Sequence, residues 1–262
     1  MLLAFDTGNT NTVIGLYDGE KLCGSWRFAT DSRRTVDEYG LFCYDLFNFY
    51  EYRFADVDHM IISSVVPDVT STLREMGRKY FKVEPLLVEA GIKTGLPIRY
   101  ENPKEVGADR IVNAVAAIDK YGAPCIIVDF GTATTFCVVN AQGEYMGGAI
   151  TTGIGISMEA LFEHAAKLPK VDLQAPSSAI GRTTVSAMQS GLVYGYAGLV
   201  DAMIKRLCDE MAYDPTETFV VATGGRSDLI CKHTAYVDQV DMKLTIHGLR
   251  ILADRNRSDQ HD

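Results

Sequence analysis

The sequence is short of the usual devices for gripping metals, nucleic acids and membranes. Six cysteines occur, at positions 23, 43, 125, 137, 208 and 231, but no two form a C-x-x-C pair. The five histidines, at 59, 164, 233, 247 and 261, stand in no ligand spacing either, so neither a zinc site nor a disulfide framework is indicated. Basic charge is sparse: 25 basic against 34 acidic residues give a formal net charge of −9, and the densest basic groups are "RR" at 33–34 and "RNR" at 255–257. With no basic stripe, nucleic-acid binding is disfavoured. Any phosphate ligand must then be held locally, by backbone amides, bound cations and individual Lys or Arg residues. No stretch approaches 18 uncharged apolar residues, and "MLLAFDTGN" reaches Asp6 too soon for the apolar core of an export signal. No membrane span and no export are expected, and thiols without partners suit a reducing cytoplasm.

Familiar nucleotide motifs are missing as well. There is no Gly-Lys dipeptide and hence no P-loop, and no G-x-G-x-x-G. "DFG" at 129–131 matches a protein-kinase metal motif, but no His-Arg-Asp loop precedes it, so the match is coincidental.

What is present is a repeat. "LLAFDTGNTNTVIGLYDGE" at 2–20 runs in step with "IIVDFGTATTFCVVNAQGE" at 126–144: Asp6 aligns with Asp129, Gly8 with Gly131 and Thr12 with Thr135. Each copy is an apolar strand, an Asp, a Gly-containing turn of small polar residues, and a second apolar strand. Across 262 residues, 47% apolar and 23% charged, the repeat implies two similar α/β domains. The boundaries expected are 1–116, 117–254, and a frayed polar tail at 255–262.

Periodicity fills in the rest. After the first hairpin come a strand near 24–30, a helix over about 35–50, a strand at 59–67, a helix over about 68–81 and a strand at 84–89. A turn-rich connector leads to a helix ending near 121. The second half has strands at 125–130, 134–140 and 144–150 and helices near 156–165 and 184–212. A strand at 218–225, a helix near 227–233, a short strand around 235–239 and a final helix over 247–256 complete it. Cys125 and Cys137 lie in apolar runs and read as small buried hydrophobes.

A hairpin whose tight turn carries Gly, Thr and Asn offers backbone N–H groups and hydroxyls to an anion, and the Asp before it can hold a hydrated cation. Any turn favours the same residue types, and a single D-x-G has little meaning. Two matched copies and a third Gly-rich turn, "VVATGGRSD", favour a nucleotide triphosphate gripped from both sides.

Four stretches in this order, "DTGNTNT" at 6–12, "GADR" at 107–110, "DFGTATT" at 129–135 and "TGG" at 223–225, resemble the motifs of type III pantothenate kinase. "ISSVVP" at 62–67 and "GRTTVSAMQSG" at 181–191 resemble that family too, and the similarity covers about residues 2–253. The family belongs to the superfamily of acetate and sugar kinases, heat-shock chaperone ATPases and actin. The resemblance implies two ribonuclease-H-like (actin-like ATPase) domains and ATP-dependent phosphorylation of the 4′-hydroxyl of pantothenate, the first step towards coenzyme A. It also implies a homodimer, Mg²⁺, and K⁺ or ammonium. By position, Asp6, Thr7, Gly8, Asn9, Thr10, Asn11, Thr12 and Val13 would line the ATP phosphates, with Asp6 close to Mg²⁺. Thr132 would contact ATP from the second hairpin, and Asp129 would hold the monovalent cation. Tyr100, Gly107, Ala108, Asp109, Arg110 and Thr184 would contact pantothenate, with Asp109 as proton acceptor.

The residues themselves allow plainer roles. Ile111, Val112, Val115 and Ile118 make one apolar helix face, with Asp109 roughly opposite in the first turn, where any carboxylate favours the helix dipole. Arg110 could be a surface ion-pair partner, Tyr100 a packing residue and Thr184 a helix cap. Ala187, Gly191 and Gly195 lie four apart, a small-residue strip for either intrachain packing or a dimer contact. One departure stands out: the family commonly carries Pro-Gly after the "GGAI" strand, where this chain has Thr152-Gly153, which points to altered loop stiffness rather than lost activity. Two alternatives remain open, an ATP-binding sensor on the same fold and a kinase for another small alcohol.

Overall fold

Apolar side chains crowd both faces of the opening strand, β1 (Leu2–Thr7), and a mixed sheet is built outward from it. The computed structural model describes residues 1–257. β1 pairs antiparallel with β2 (Asn11–Asp18), and β2 with β3 (Lys21–Ala29). On its other side β1 pairs parallel with β4 (His59–Ser64), and β4 with β5 (Leu86–Leu87). The order is β3-β2-β1-β4-β5.

The second sheet repeats this plan. β6 (Cys125–Phe130) pairs antiparallel with β7 (Ala133–Val139), which pairs with β8 (Tyr145–Thr152). β6 also pairs parallel with β9 (Phe219–Thr223), and β9 with β10 (Gln239–Val240). The sequence repeat is therefore a repeat of topology: strand for strand, β6 to β10 retrace β1 to β5. This is the α/β, actin-like class expected from the sequence.

Strand alternation assigns the faces. Leu3 and Phe5 of β1, with Met60 and Ile62 of β4, pack under α1 (Val36–Phe49) and α2 (Pro67–Met76). Two features mark these helices. A capping box between Thr35 and Glu38 starts α1. Pro67 starts α2, which closes in a π-helical turn, Gly77–Phe81, within the helix expected over 68–81. In the second sheet Ile126, Val128 and Phe130 pack under α5 (Thr184–Met211), which buries Val193, Tyr196, Ala197, Val200, Ile204 and Cys208. Each buried valine or isoleucine among them contributes about 1.5–3 kcal/mol. α4 (Ile154–His164) and the short α6 (Ser227–Ile230) complete that layer. Cys125 and Cys137 are buried as expected, and burial pushes the Cys125 thiol up to about 12.

The chain divides into two compact units. One holds Met1–Leu96, Asn102–Ala116 and the described residues from Leu244 to Arg257; the other holds Pro97–Glu101 and Ala117–Lys243. The last helix, α7 (Leu244–Arg257), thus groups with the first unit and not with residues 117–243, in contrast to the expected 117–254 domain. Its apolar side covers the far face of β1, β2 and β4, where Ile246 fills the space left by Gly15. Residues 255–257 are helical rather than frayed, and the rest of the expected tail, 258–262, lies outside the described residues. α3 (Ala108–Tyr121) begins in the first unit and ends in the second. In the second unit Lys120 and Tyr121 at its end both bond Asp241. Burial opposes the Asp241 charge, but these donors outweigh it and hold the carboxyl below its usual range. No helix among the described residues is long and apolar enough to cross a membrane.

Candidate active site

Both repeated aspartates end the central strand of their sheet. In the first unit Asp6 is the register partner of Val13 on β2 and Ser63 on β4. The turn between β1 and β2 is closed by the Gly8 N–H donating to the Asn11 carbonyl at 3.0 Å. Thr30 braces it from the end of β3: its hydroxyl donates to the Gly8 carbonyl at 2.8 Å and meets Thr12 Oγ1 at 3.0 Å, while its N–H donates to the Thr10 carbonyl. Thr7 and Ser63 are each 1% exposed, and their hydroxyls have no hydrogen-bond partner among the described residues. Ser63 shares a sheet face with Asp6, since register partners on neighbouring strands point the same way. A buried hydroxyl left open costs about 1–3 kcal/mol, so the Ser63 hydroxyl beside Asp6 would gain from a polar ligand.

In the second unit Asp129 pairs in register with Thr135 on β7 and Thr223 on β9. The Gly131 N–H donates to the Ala133 carbonyl at 3.1 Å, closing a turn one residue tighter than the one Gly8 closes on Asn11. The "TGG" turn arrives at once beside it. A Cβ on Gly224, where φ is +92°, would lie 2.6 Å from Asp129 Oδ1 and 2.7 Å from the Phe130 backbone. Only glycine fits both that conformation and that approach. From the other side, the Gly153 N–H donates to the Thr132 carbonyl at 3.0 Å, and a Cβ there would stand 2.3 Å from the same oxygen. The second hairpin, the "TGG" turn and the end of β8 therefore form one site, with Thr132 and Asp129 in it.

The remaining residues fall in both units. Gly107 to Arg110 open α3 in the first unit, where the Gly107 carbonyl accepts from the Arg110 and Ile111 N–H groups. A Cβ on Gly107 would be 2.5 Å from Asp109 Oδ1, so the carboxylate folds back over its own helix terminus. Arg110 is 7% exposed, so it is no surface ion-pair residue. α3 is also buried well beyond one face, taking in Asn113, Ala114, Ala116 and Ala117. Tyr100 belongs to the second unit and lays its ring on Gly147 of β8, 3.2 Å from where a Cβ would be, while staying 36% exposed. The cap of α5 is Thr183, which exchanges a capping box with Ser186; Thr184 is the first helical residue, exposed and not used as the cap. Ala187, Gly191 and Gly195 are exposed; Gly181 packs its backbone on Ala187, while among the described residues nothing outside their own helix comes within 4 Å of where a Cβ would stand on Gly191 or Gly195.

The donor sets suit the cations that the resemblance implies. A single carboxylate beside an unpartnered buried hydroxyl, Asp6 with Ser63, fits Mg²⁺, which keeps most of its water and shares phosphate oxygens. Around Asp129 Oδ1, Gly131 and Gly224 leave a cradle that side chains would fill, with backbone carbonyls at hand, a setting for a larger monovalent cation. Thr30 and Ser63 escaped the sequence reading, in which Gly153 stood only as part of a departure in loop stiffness; pairing the strands in register was the signal that would have exposed Ser63.

A family model described as type III pantothenate kinase matches residues 2–206. A type III pantothenate kinase from Citrifermentans bemidjiense is 52% identical over 257 residues, 98% of this chain and 100% of its own. The one from Bacillus cytotoxicus is 52% identical over 262 residues, 100% of this chain and 99% of its own. The chain belongs to the type III pantothenate kinase family. Among solved structures, a Baf family protein from Campylobacter jejuni superposes with a TM-score of 0.63 at 16% identity, covering 98% of this chain and 99% of that one. A ROK hexokinase from Thermus thermophilus gives 0.52 at 14% identity, covering 97% and 98%. Both show the shared fold of this type III pantothenate kinase family member.

Proposed function

We propose that this chain phosphorylates pantothenate with ATP, as the type III pantothenate kinase family does, at the first step of coenzyme A biosynthesis. The observation that carries the reading is the duplicated hairpin: two strand ends, each with an aspartate and a closed Gly turn, in a chain of this family.

Asp6 to Val13 and Thr132 hold the ATP phosphates through turn N–H groups and hydroxyls, and "TGG" at 223–225 packs on adenosine. Asp6 holds Mg²⁺ and Asp129 K⁺ or ammonium; when bound, these cations neutralise charge on the phosphates. Tyr100, Gly107, Ala108, Asp109, Arg110 and Thr184 hold pantothenate. The 4′-hydroxyl oxygen bonds to the γ-phosphorus as the bond to the β-phosphate oxygen breaks, and ADP leaves with that electron pair. The hydroxyl proton passes to the Asp109 carboxylate and then to solvent. A carboxylate suffices because phosphoryl transfer demands positioning and charge neutralisation more than a strong base.

The enzyme works as a cytoplasmic homodimer. Support for the dimer is the open helix surface at Gly191 and Gly195, with Ile180 at 78% and Val185 at 42% exposure near the helix start. Light scattering should give twice the mass of the 28.8 kDa chain; the mass of one chain overturns the dimer. Six free thiols fit a reducing compartment.

The test of the function is ADP release by purified protein with ATP and Mg²⁺, with and without pantothenate, in K⁺ and in its absence. Pantothenate-dependent release that needs the monovalent cation is the expected result. ATP binding without such release would point to a sensor or to another alcohol.

A further inference from the structure

We propose that Tyr196 is a positioning residue for phosphoryl transfer, its hydroxyl fixing the second phosphate hairpin in the shape that receives ATP. The inference rests on the kinase reading above and adds a residue that makes no contact with ligand.

Tyr196 lies about three turns into α5 and is 7% exposed, in a core otherwise of Ile126, Phe130, Val193, Ala197 and Val200. A phenylalanine would pack there equally well, and a buried phenol must recover its lost hydration. It does so on two segments of the site. Its oxygen is 2.7 Å from Thr134 Oγ1 on β7 and in contact with the Thr152 carbonyl at the end of β8. A carbonyl can only accept, so the phenol donates to Thr152 and the Thr134 hydroxyl donates to the phenol.

Both partners lead to the phosphate turn. Thr134 is two residues past Thr132, inside the hairpin. Thr152 precedes Gly153, whose N–H donates to the Thr132 carbonyl at 3.0 Å. One hydroxyl thus ties the strand that leaves the turn to the backbone that buttresses the turn from outside. The first hairpin has a brace of the same kind in Thr30, which holds Gly8, Thr10 and Thr12. In the second hairpin the brace comes from a long helix whose first turn carries Thr184, so α5 links the substrate end of the site to the phosphate turn.

The experiment uses the full-length protein, its Tyr196→Phe and Thr134→Val variants, and the double variant. ATP binding with Mg²⁺ is measured by calorimetry without pantothenate, alongside KM for both substrates. Tyr196→Phe should weaken ATP about threefold to tenfold, with the pantothenate KM changed less than about twofold. Thr134→Val should weaken ATP similarly, and the double variant should lose less than the product of the single losses. Unchanged ATP affinity in Tyr196→Phe overturns the proposal, as does multiplication of the single losses. Equal weakening of both substrates together with a large fall in Tm reduces Tyr196 to a core residue and also overturns it. Should Tyr196→Phe fail to fold, Thr134→Val alone decides by the same ATP criterion. Absence of pantothenate turnover in the wild type counts against the kinase reading and leaves the ATP comparison standing.

Discussion

Gly107 shows how a single missing methyl sets a site. The space its Cβ would take is held by Asp109 Oδ1, 2.5 Å away, at the tip of a side chain that is free to swing. Gly107→Ala should therefore leave the fold intact and push the carboxylate aside. A displacement near 1 Å at a reacting group costs on the order of 100-fold, so kcat should fall by about that factor while Tm moves by only a few degrees. Steady-state kinetics with thermal unfolding checks this, and an unchanged kcat would show that Asp109 does not act from the observed position. Gly224 is a different case, because a Cβ there meets the Phe130 backbone, which cannot yield. At this scale the sequence was informative about identity: the GADR and TGG stretches were visible, and so were their glycines. What it could not show is which atom each glycine makes room for, since Gly224 and Asp129 are neighbours only after β6 and β9 pair.

At the scale of the element, α5 opens on two adjacent threonines with different surroundings. Thr183 satisfies the helix N-terminus by exchanging bonds with Ser186, while Thr184 points an unused hydroxyl outward. Two neighbouring substitutions should then separate stability from activity. Thr183→Ala should cost about 1 kcal/mol of stability. Thr184→Ala should leave stability within about 0.5 kcal/mol and raise the pantothenate KM, by thermal unfolding and steady-state kinetics on each. Equal behaviour of the two variants would refute the division. The sequence reading placed the cap one residue too late because both residues are threonine and only backbone conformation tells them apart. Elements with strong periodicity were legible nearly to the residue: β6 runs 125–130 as expected, and α5 ends at Met211 against an expected 212. β5 and β10 were harder, since two-residue strands carry almost no period.

For the molecule as a whole, the duplicated sequence became a duplicated topology, which explains how one repeat could announce the fold class. Each apolar strand and its polar turn occupy the centre of a sheet, and the sheet order follows from that placement. The assignment of α7 was not legible, because its apolar face is complementary to a sheet formed by the opposite end of the chain. Nor could composition announce the ligand: a net charge of −9 gives no general attraction for a triphosphate, so any grip on one has to come from local geometry. Asp109→Asn tests that account most directly, with pantothenate-dependent ADP release and calorimetric ATP binding measured on the same preparation. The account predicts turnover reduced by about 100-fold or more with ATP affinity within about twofold of the wild type. Full turnover in the variant, or loss of ATP binding together with turnover, would contradict the role of Asp109 as the group that orients the hydroxyl and takes its proton.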